Sequence, residues 1–281
     1  MRSTGLPVSN AGLTLNKAMQ ADNSTNNVII SGGTQGLGLA IAKVMARQGC
    51  PHIVISGRDP EKGAAAAQEV TALGTDCHYI TCDVAIESDC RNLVAAALDR
   101  FGSVNALVNC AATTTRGSIL DTGITRWHEH LAINLTGPFL LMQGVAQHLD
   151  DTGKPGSLVN ILSTSAHVGQ SFLAPYSASK GGLMTLTKNA ANALLAKRIR
   201  VNAVAPGWMD TPAEDMIQKT FHDAPDNWLE AAEASMPMGQ LAKPDQLAPL
   251  IAWLLSPDSG VITGAVIDYD QQVVGALQEN G

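Results

Sequence analysis

Short β-branched runs alternate with longer amphipathic segments along most of the chain. The apolar runs lie at 28–30, 53–55, 79–80, 106–108, 158–161, 201–204 and 265–267. They lack the apolar–polar alternation of a half-exposed strand, which is typical of strands buried on both faces. Segments of helical periodicity follow, among them 39–49, 61–73, 87–101 and 124–149. The pattern predicts an α/β fold: a Rossmann-type, doubly wound parallel sheet of about seven strands, with helices on both faces, in a single domain.

The sequence also predicts where the domain begins and which segment departs from the alternation of strands and helices. Residues 1–26 are rich in Ser, Thr, Asn and Gly and lack the apolar core of a signal peptide, so we expect a flexible N-terminal extension before a domain spanning 27–281. Residues 211–243 mix Met, Trp, Phe and acidic residues, which predicts a helical cap over the substrate site. No stretch has the apolar length that crossing a bilayer requires.

The composition of the chain argues against some classes of partner and site. The 281 residues include 18 Lys and Arg against 25 Asp and Glu, a formal net charge of −7. This balance argues against a nucleic-acid partner, which would require a basic surface. The five cysteines have no paired spacing and indicate reduced thiols in a cytoplasmic protein. Cys77, His78 and Cys82 lack a second ligand pair, so we expect no metal site.

A glycine-rich turn joins the first predicted strand to the first helix. Glycines allow the backbone to approach a pyrophosphate closely, and a helix N-terminus offers unpaired N–H donors. Alone, the motif would also suit an ordinary strand-to-helix turn, but its place in the first βα unit favours a dinucleotide. The expected contacts are Gly32, Thr34, Gln35, Gly36, Leu37 and Gly38.

The end of the second strand favours NADP over NAD. An acidic residue there would bind the adenosine ribose diol, whereas this strand ends at Arg58 with no carboxylate before it. A guanidinium can pair with a 2′-phosphate through two hydrogen bonds. Asp59 follows directly and Gln35 is neutral, so NAD stays open, as does Arg58 as a solvated loop charge.

Tyr176 and Lys180 are four residues apart and would share one face of a helix. A free phenol has a pKa of ~10 and is a poor base at neutral pH. A nearby ammonium favours the phenolate, so we expect Lys180 to lower the pKa of Tyr176. A fall of about three units would represent about 4 kcal/mol.

With these motifs in place, the chain resembles the short-chain dehydrogenase/reductase family, in its shorter single-domain branch. The matching pieces, in the family's order, are Gly32-xxx-Gly36-x-Gly38, Asp83, Asn109-Cys110-Ala111-Ala112, Asn134, Ser163, Tyr176-xxx-Lys180 and Pro206-Gly207. They cover residues from about 27 to 270. Two departures are Ala112, where the family has glycine, and 268–272, where a glycine pair is common.

The resemblance implies a role for each matched residue of the reactive group. Tyr176 would act as general acid in reduction and as base in oxidation, and Lys180 would lower its pKa and hold the nicotinamide ribose. Ser163 would hydrogen-bond the substrate oxygen where charge develops. Ser165 is an alternative whose spacing fits less well. Asn134 would position a water that links Lys180 to solvent.

Further cofactor contacts follow from the same resemblance. Asp83 would contact the adenine amine, Asn109 would anchor the central strand, and Thr211 would reach the nicotinamide amide. The other residues expected at the cofactor are Val84, Ala111, Pro206 and Gly207, together with Tyr176 and Lys180. The resemblance also implies a homo-oligomer, commonly a tetramer.

The residues expected to border the substrate are Thr113, Ser163, His167, Tyr176 and Trp208. Their hydroxyl and imidazole groups favour a small polar substrate such as a polyol, a sugar or a hydroxy or keto acid. A larger apolar ketone, steroid-like or 3-oxoacyl, is the alternative, because Trp208, Met209, Met216, Phe221 and Trp228 would suit an apolar pocket.

Three other classes of function compete with a carbonyl–alcohol oxidoreductase. The first is a non-catalytic NADP-binding regulator, which would have lost Ser163, Tyr176 or Lys180. The second is another reaction of the wider family, such as epimerisation or enoyl reduction, whose proteins differ in glycine spacing, domain content or tyrosine–lysine separation. The third is an interaction protein that merely uses the fold, because fold never determines function. The intact reactive group favours the enzyme.

Overall fold

The computed structural model describes residues 21–276. Its strands are β1 (Asn27–Ser31), β2 (His52–Gly57), β3 (Asp76–Thr81), β4 (Ala106–Asn109), β5 (Gly156–Ile161), β6 (Ile199–Pro206) and β7 (Val266–Tyr269). They form one 7-stranded parallel sheet in the order β3-β2-β1-β4-β5-β6-β7, which confirms the predicted fold class. Because β1 pairs with both β2 and β4, the order reverses at β1, and a crevice opens beyond the carboxyl ends of these strands.

Helices cover both faces of the sheet. They are α1 (Gly36–Arg47), α2 (Pro60–Thr71), α3 (Glu87–Phe101), α4 (Ile124–Leu131), α5 (Gly137–Thr152), α6 (Ala174–Leu194), α7 (Pro212–Phe221), α8 (Trp228–Ala234) and α9 (Pro244–Leu255). Ile30 packs in a core formed with α1 and α9, and its neighbour Ile29 packs in the opposite core with α3, α5 and α6. Successive strand side chains point to opposite faces, so burial on both faces requires an unbroken apolar run.

The predicted helix over 124–149 is interrupted. A π-helical turn, Ala132–Thr136, separates α4 from α5, and the Gly137 N–H bonds to the Ala132 carbonyl five residues back. Pro138, in the first turn of α5, has no N–H to donate to the carbonyl four residues before it. Single π-helical turns inside helices are frequent at functional sites, and this one carries Asn134.

The part of the chain expected to cap the site contains α7 and α8. Trp228, Ala232 and Leu241 form a small separate core beneath them. Most of the expected N-terminal extension, 1–20, lies outside the described residues, as do 277–281. Residues just before β1 pack on the domain: the side-chain amides of Asn23 and Asn26 donate to the carbonyls of Ala252 and Leu255. Across 21–276, none of the helices has the length and apolar character needed to span a bilayer.

Candidate active site

A cavity of about 1250 Å³ lies along the carboxyl ends of the strands. Most of the residues predicted from the sequence line it: Gly32, Thr34, Gln35, Gly36, Leu37, Gly38, Arg58, Asp83, Val84, Ala111, Thr113, Ser163, Tyr176, Lys180, Pro206, Gly207, Trp208 and Thr211. Asn109, Asn134 and His167 are not among the lining residues. The fold therefore gathers the glycine-rich turn and the reactive group, far apart in sequence, around one cavity.

The turn between β1 and α1 has no room for side chains at two of its glycines. Gly32 has a φ of +69°, and a Cβ there would lie 2.7 Å from the Ala111 nitrogen. A Cβ on Gly38 would lie 2.2 Å from the Gly32 carbonyl oxygen. The Gln35 side chain makes no capping hydrogen bond to α1, so the first N–H groups of the helix are available to a ligand. This cradle fits the pyrophosphate of a dinucleotide.

Two cations lie near the end of β2. Arg58 and Lys62 both line the cavity, although the sequence analysis did not name Lys62. Its position in the first turn of α2, four residues after Arg58, was the signal that could have identified it. The Asp59 carboxylate accepts hydrogen bonds from the backbone N–H groups of Glu61 and Lys62 and so caps α2. This carboxylate, which also lines the cavity, therefore has hydrogen-bond partners within the protein.

Tyr176 and Lys180 are buried on the first turns of α6, in the order the sequence predicts. The Lys180 Nζ donates to the Ile161 carbonyl at 2.7 Å and lies 5.8 Å from the centre of the Tyr176 ring. The Ser163 Oγ accepts from the Ser165 hydroxyl at 2.9 Å. A hydrogen bond with the Ser163 side chain lowers the pKa of Tyr176. Ser163, Tyr176 and Lys180 therefore come together as expected, with Ser165 supporting Ser163.

The acidities of the two helix residues differ from the sequence expectation. Burial raises the pKa of Tyr176 from its ordinary value of 10.0 to about 12, and Ser163 offsets only part of this. Burial also lowers the pKa of Lys180 from 10.5 to about 8. The expected fall in the Tyr176 pKa is therefore wrong for this structure. Removing the phenolate from water destabilises it by more than the neighbouring groups stabilise it. Burial favours the neutral form of both groups.

Asn134 holds the loop after β4 against α6. Its Oδ1 accepts from the Thr113 N–H at 2.9 Å, and its Nδ2 donates to the Thr113 carbonyl and to the Ser179 Oγ, both at 3.0 Å. The Ser179 hydroxyl in turn donates to the Tyr176 carbonyl at 2.7 Å. The sequence analysis did not name Ser179. Its spacing of three from Tyr176, on the same helix face, was the available signal.

Two other predicted residues lie outside the cavity lining. The Asn109 Nδ2 donates to the Asn160 Oδ1 at 2.8 Å, and the Asn160 Nδ2 donates to the Thr187 Oγ1 at 2.9 Å, which ties β4 to β5 and α6. His167, expected at the substrate, instead has its Nε2 2.7 Å from the Asp268 Oδ1. Its neighbour Val168 lines the cavity.

The cavity also contains a charged pair that the sequence analysis did not find. Arg116, on the loop after β4, lies with one terminal nitrogen 3.8 Å from a carboxylate oxygen of Glu214 on α7. That oxygen accepts from the Trp208 indole N–H at 2.8 Å and from the Gln218 amide at 2.7 Å. Arg116 and Glu214 come from distant parts of the chain, so no local spacing could have predicted their meeting.

Comparison with known proteins identifies the family of the chain. The family model described as enoyl-(acyl carrier protein) reductase matches residues 32–271. The L-rhamnose 1-dehydrogenase (NAD(P)(+)) of Azotobacter vinelandii is 34% identical over 255 residues, which cover 89% of this chain and 97% of the relative. The chain belongs to the short-chain dehydrogenase/reductase family. It is therefore an oxidoreductase of that family.

Two further relatives agree with this family assignment. The trans-4-hydroxycyclohexanecarboxylate dehydrogenase of Sinomonas cyclohexanicum is 33% identical over 248 residues, covering 86% of this chain and 90% of the relative. A crystal structure of an actinorhodin polyketide ketoreductase variant with NADPH superposes with a TM-score of 0.82 at 30% identity, covering 88% of this chain and 97% of the other. The short-chain dehydrogenase/reductase match thus extends over the sheet and the cavity alike.

Proposed function

We propose that this protein transfers a hydride between NADP(H) and a carbonyl or secondary alcohol carbon. One observation carries the proposal: Ser163, Tyr176 and Lys180 line the same cavity as the glycine-rich turn of Gly32 and Gly38. A dinucleotide held by that turn and a substrate oxygen at the hydroxyls would share one enclosed space. Metal-assisted chemistry is not part of the proposal.

The reactive residues suit proton delivery to an oxygen. A nicotinamide, when bound, supplies or accepts the hydride. With a pKa of about 12, Tyr176 keeps its proton at neutral pH and can donate it to the oxygen of a carbonyl under reduction. Ser163 donates a hydrogen bond to the same oxygen as negative charge develops there. Lys180 is proposed to hold the cofactor ribose, and Asn134 to position the path by which protons reach the lysine.

The other cofactor contacts carry over as proposals on the residues that line the cavity. They include Asp83 and Val84 near the adenine, Ala111 beside Gly32, Pro206, Gly207 and Thr211 toward the nicotinamide, and Thr34, Gln35, Gly36 and Leu37 around the phosphates. Asn109 supports this group from beneath through Asn160.

NADP, rather than NAD, is supported by the charges beyond β2. Binding of NADPH and NADH to the wild type and to Arg58→Ala tests this choice by fluorescence titration. We expect Arg58→Ala to weaken NADPH by about 10- to 100-fold, the range for a lost charge-assisted pair, and to leave NADH unchanged. Arg91→Ala, on the exposed face of α3, is the control. Equal NADH and NADPH affinities that Arg58→Ala does not alter would overturn the choice.

A small polar substrate is supported by the hydroxyl-rich part of the cavity and by the names of two relatives, which denote dehydrogenases of a sugar and of a hydroxylated carboxylic acid. Thr113 and Trp208 line this part, whereas the position of His167 does not support its proposed substrate contact. A larger apolar ketone is the second candidate, since Phe172 and Met216 also line the cavity.

Turnover separates the enzyme from a cofactor-binding regulator. A screen of ketones, aldehydes, polyols and sugar acids with NADPH or NADP⁺ should find a substrate, and Tyr176→Phe should abolish its turnover while NADPH still binds. No turnover by the wild type across the screen would favour the regulator.

The free thiols of all five cysteines support a cytoplasmic location. The family resemblance supports a homotetramer, which light scattering tests.

A further inference from the structure

Four cationic side chains line the cavity, and one of them has no place in the proposed reaction. Arg58 and Lys62 lie beyond β2, and Lys180 lies beneath Tyr176. Arg116 lies instead on the loop that follows β4. Arg116 is therefore the cation of the cavity whose role the hydride transfer leaves unexplained.

Contacts on several sides hold the Arg116 guanidinium in place. Its Nε donates to the His222 Nε2 at 3.0 Å, and one terminal nitrogen donates to the Thr114 carbonyl at 3.1 Å. The guanidinium carbon lies 5.3 Å from the centre of the Phe172 ring. The side chain is only 15% exposed. A cation ordered in this way loses little further freedom when it binds a ligand.

The neighbouring acid does not fully pair with this cation. The second terminal nitrogen of Arg116 lies 3.8 Å from Glu214, beyond hydrogen-bond distance. The same Glu214 oxygen accepts from Trp208 and Gln218, which disperse its charge. Asp270 and Glu129 also line the cavity, so a bound anion requires a local cation. A partly buried guanidinium with an unfilled donor is suited to that role.

Arg116 lies beside the start of the helix that carries Tyr176, because the carbonyl of the next residue, Gly117, accepts from the Ala174 N–H of α6 at 2.9 Å. Both Arg116 and Glu214 alter the pKa of Tyr176, the guanidinium lowering it and the carboxylate raising it. The reverse effect is present too, because Tyr176 raises the pKa of Arg116, whose burial lowers it. The three side chains therefore share one electrostatic environment in the cavity.

We propose that Arg116 binds a carboxylate of the substrate, which makes the substrate a hydroxy acid in one direction and an oxo acid in the other. The inference rests on the proposed hydride transfer. Two guanidinium N–H groups match the two oxygens of a carboxylate. The contacts of Arg116 with His222, Thr114 and Phe172 fix the orientation of these N–H groups. With its carboxylate bound to Arg116, the acid would present its carbonyl oxygen to Ser163 and Tyr176. The chain length of the acid sets the distance between its carboxylate and its carbonyl group, and so decides which oxo acid fits.

The test compares oxo acids with their methyl esters, which keep the ketone and lose the charge. The probes are 2-oxobutanoate, 3-oxobutanoate and 4-oxopentanoate, assayed with NADPH. We expect the best acid to exceed its ester in kcat/KM by about 10- to 100-fold, the range for a hydrogen-bonded charge pair. Arg116→Met should remove this preference by lowering only the kcat/KM of the acid, and Arg116→Lys should restore part of it.

Lys219→Gln is the matched control, because Lys219 is an exposed cation on the same helix as Glu214 and does not line the cavity. It should keep the preference for the acid. Equal losses for acid and ester in Arg116→Met and Arg116→Lys would overturn the inference and make Arg116 a structural link between the loop and α7. A wild type that reduces the esters as well as the acids would also overturn it, while leaving hydride transfer intact.

Binding gives a readout that does not depend on turnover. Calorimetric titration of the same acids and esters into the protein saturated with NADP⁺ should show about tenfold or greater preference for an acid, lost in Arg116→Met. Should no carbonyl compound be reduced, the proposed function fails, and this titration alone decides whether Arg116 binds carboxylates. Equal affinity for acid and ester would reject the Arg116 site.

Discussion

Lys180→Met is expected to stabilise the protein at neutral pH while it abolishes turnover. Lys180 is 2% exposed, and burial lowers its pKa from 10.5 to about 8. That fall corresponds to a cost of about 3 kcal/mol for keeping the ammonium charged at pH 7. Methionine has a similar length and no charge, but it loses the hydrogen bond to the Ile161 carbonyl, worth about 1 kcal/mol. The expected net gain in the free energy of unfolding is about 2 kcal/mol.

The stability difference between the wild type and Lys180→Met should shrink as the pH rises. The unfolded lysine keeps its proton up to about 10.5, whereas the folded lysine loses it near 8. Between these values the unfolded state binds more protons, so the stability of the wild type rises with pH. At pH 9.5 the wild type should have recovered about 2 kcal/mol, and the advantage of Lys180→Met should be nearly gone.

Urea unfolding followed by tryptophan fluorescence at pH 7, 8 and 9.5 measures the difference between the two proteins. Lys188→Met, an exposed position on the same helix, is the control and should show no comparable change with pH. A difference between wild type and Lys180→Met that stays constant over this range would refute the reasoning, because it would mean that the buried lysine titrates at its ordinary value.

Three further variants test other parts of the site. Gly38→Ala should weaken NADPH binding at least about tenfold by fluorescence titration, because its Cβ would lie 2.2 Å from the Gly32 carbonyl oxygen; an unchanged Kd would contradict this. Ser179→Ala should lower the free energy of unfolding in urea by about 1–3 kcal/mol, since the buried Asn134 amide loses an acceptor; a smaller loss would mean that another group replaces it. Tyr176 has a pKa raised from 10.0 to about 12 in the folded state, so the unfolded phenol ionises first. The stability of the wild type relative to Tyr176→Phe should therefore fall between pH 10 and pH 11 in urea unfolding, and a difference that does not change with pH would contradict this.

The pattern of apolar residues was sufficient to predict the sheet. Ile29 and Ile30 belong to opposite cores, and the same demand for two buried faces recurs in each of the central strands. The edge strands β3 and β7 are less buried, because each has a neighbour on one side only. The apolar run of β3, 79–80, is shorter than those of the central strands and already reflects this difference. The identity of the strands and their parallel pairing thus follow from local sequence together with the preference for parallel βαβ units.

The finer geometry of the site depends on contacts that no local pattern contains. Asn134 could be matched to a motif, but its π-helical turn could not be predicted, although Pro138 indicates a disturbed helix. Arg116 and Glu214 meet because a loop and a cap helix fold over the same cavity. The acidities of Tyr176 and Lys180 depend on the depth of burial, which spacing along a helix does not determine.

The acidity of Tyr176 depends on its surroundings more than on its helical neighbour Lys180. Burial raises its pKa most, Ser163 lowers it, Glu214 raises it and Arg116 lowers it. In the proposed complex the substrate carboxylate neutralises Arg116 and removes one of the influences that favour the phenolate. The phenol then keeps its proton until negative charge develops on the carbonyl oxygen, which is when an acid catalyst is required. Binding of an oxo acid at Arg116 would therefore also help to keep Tyr176 in its acid form.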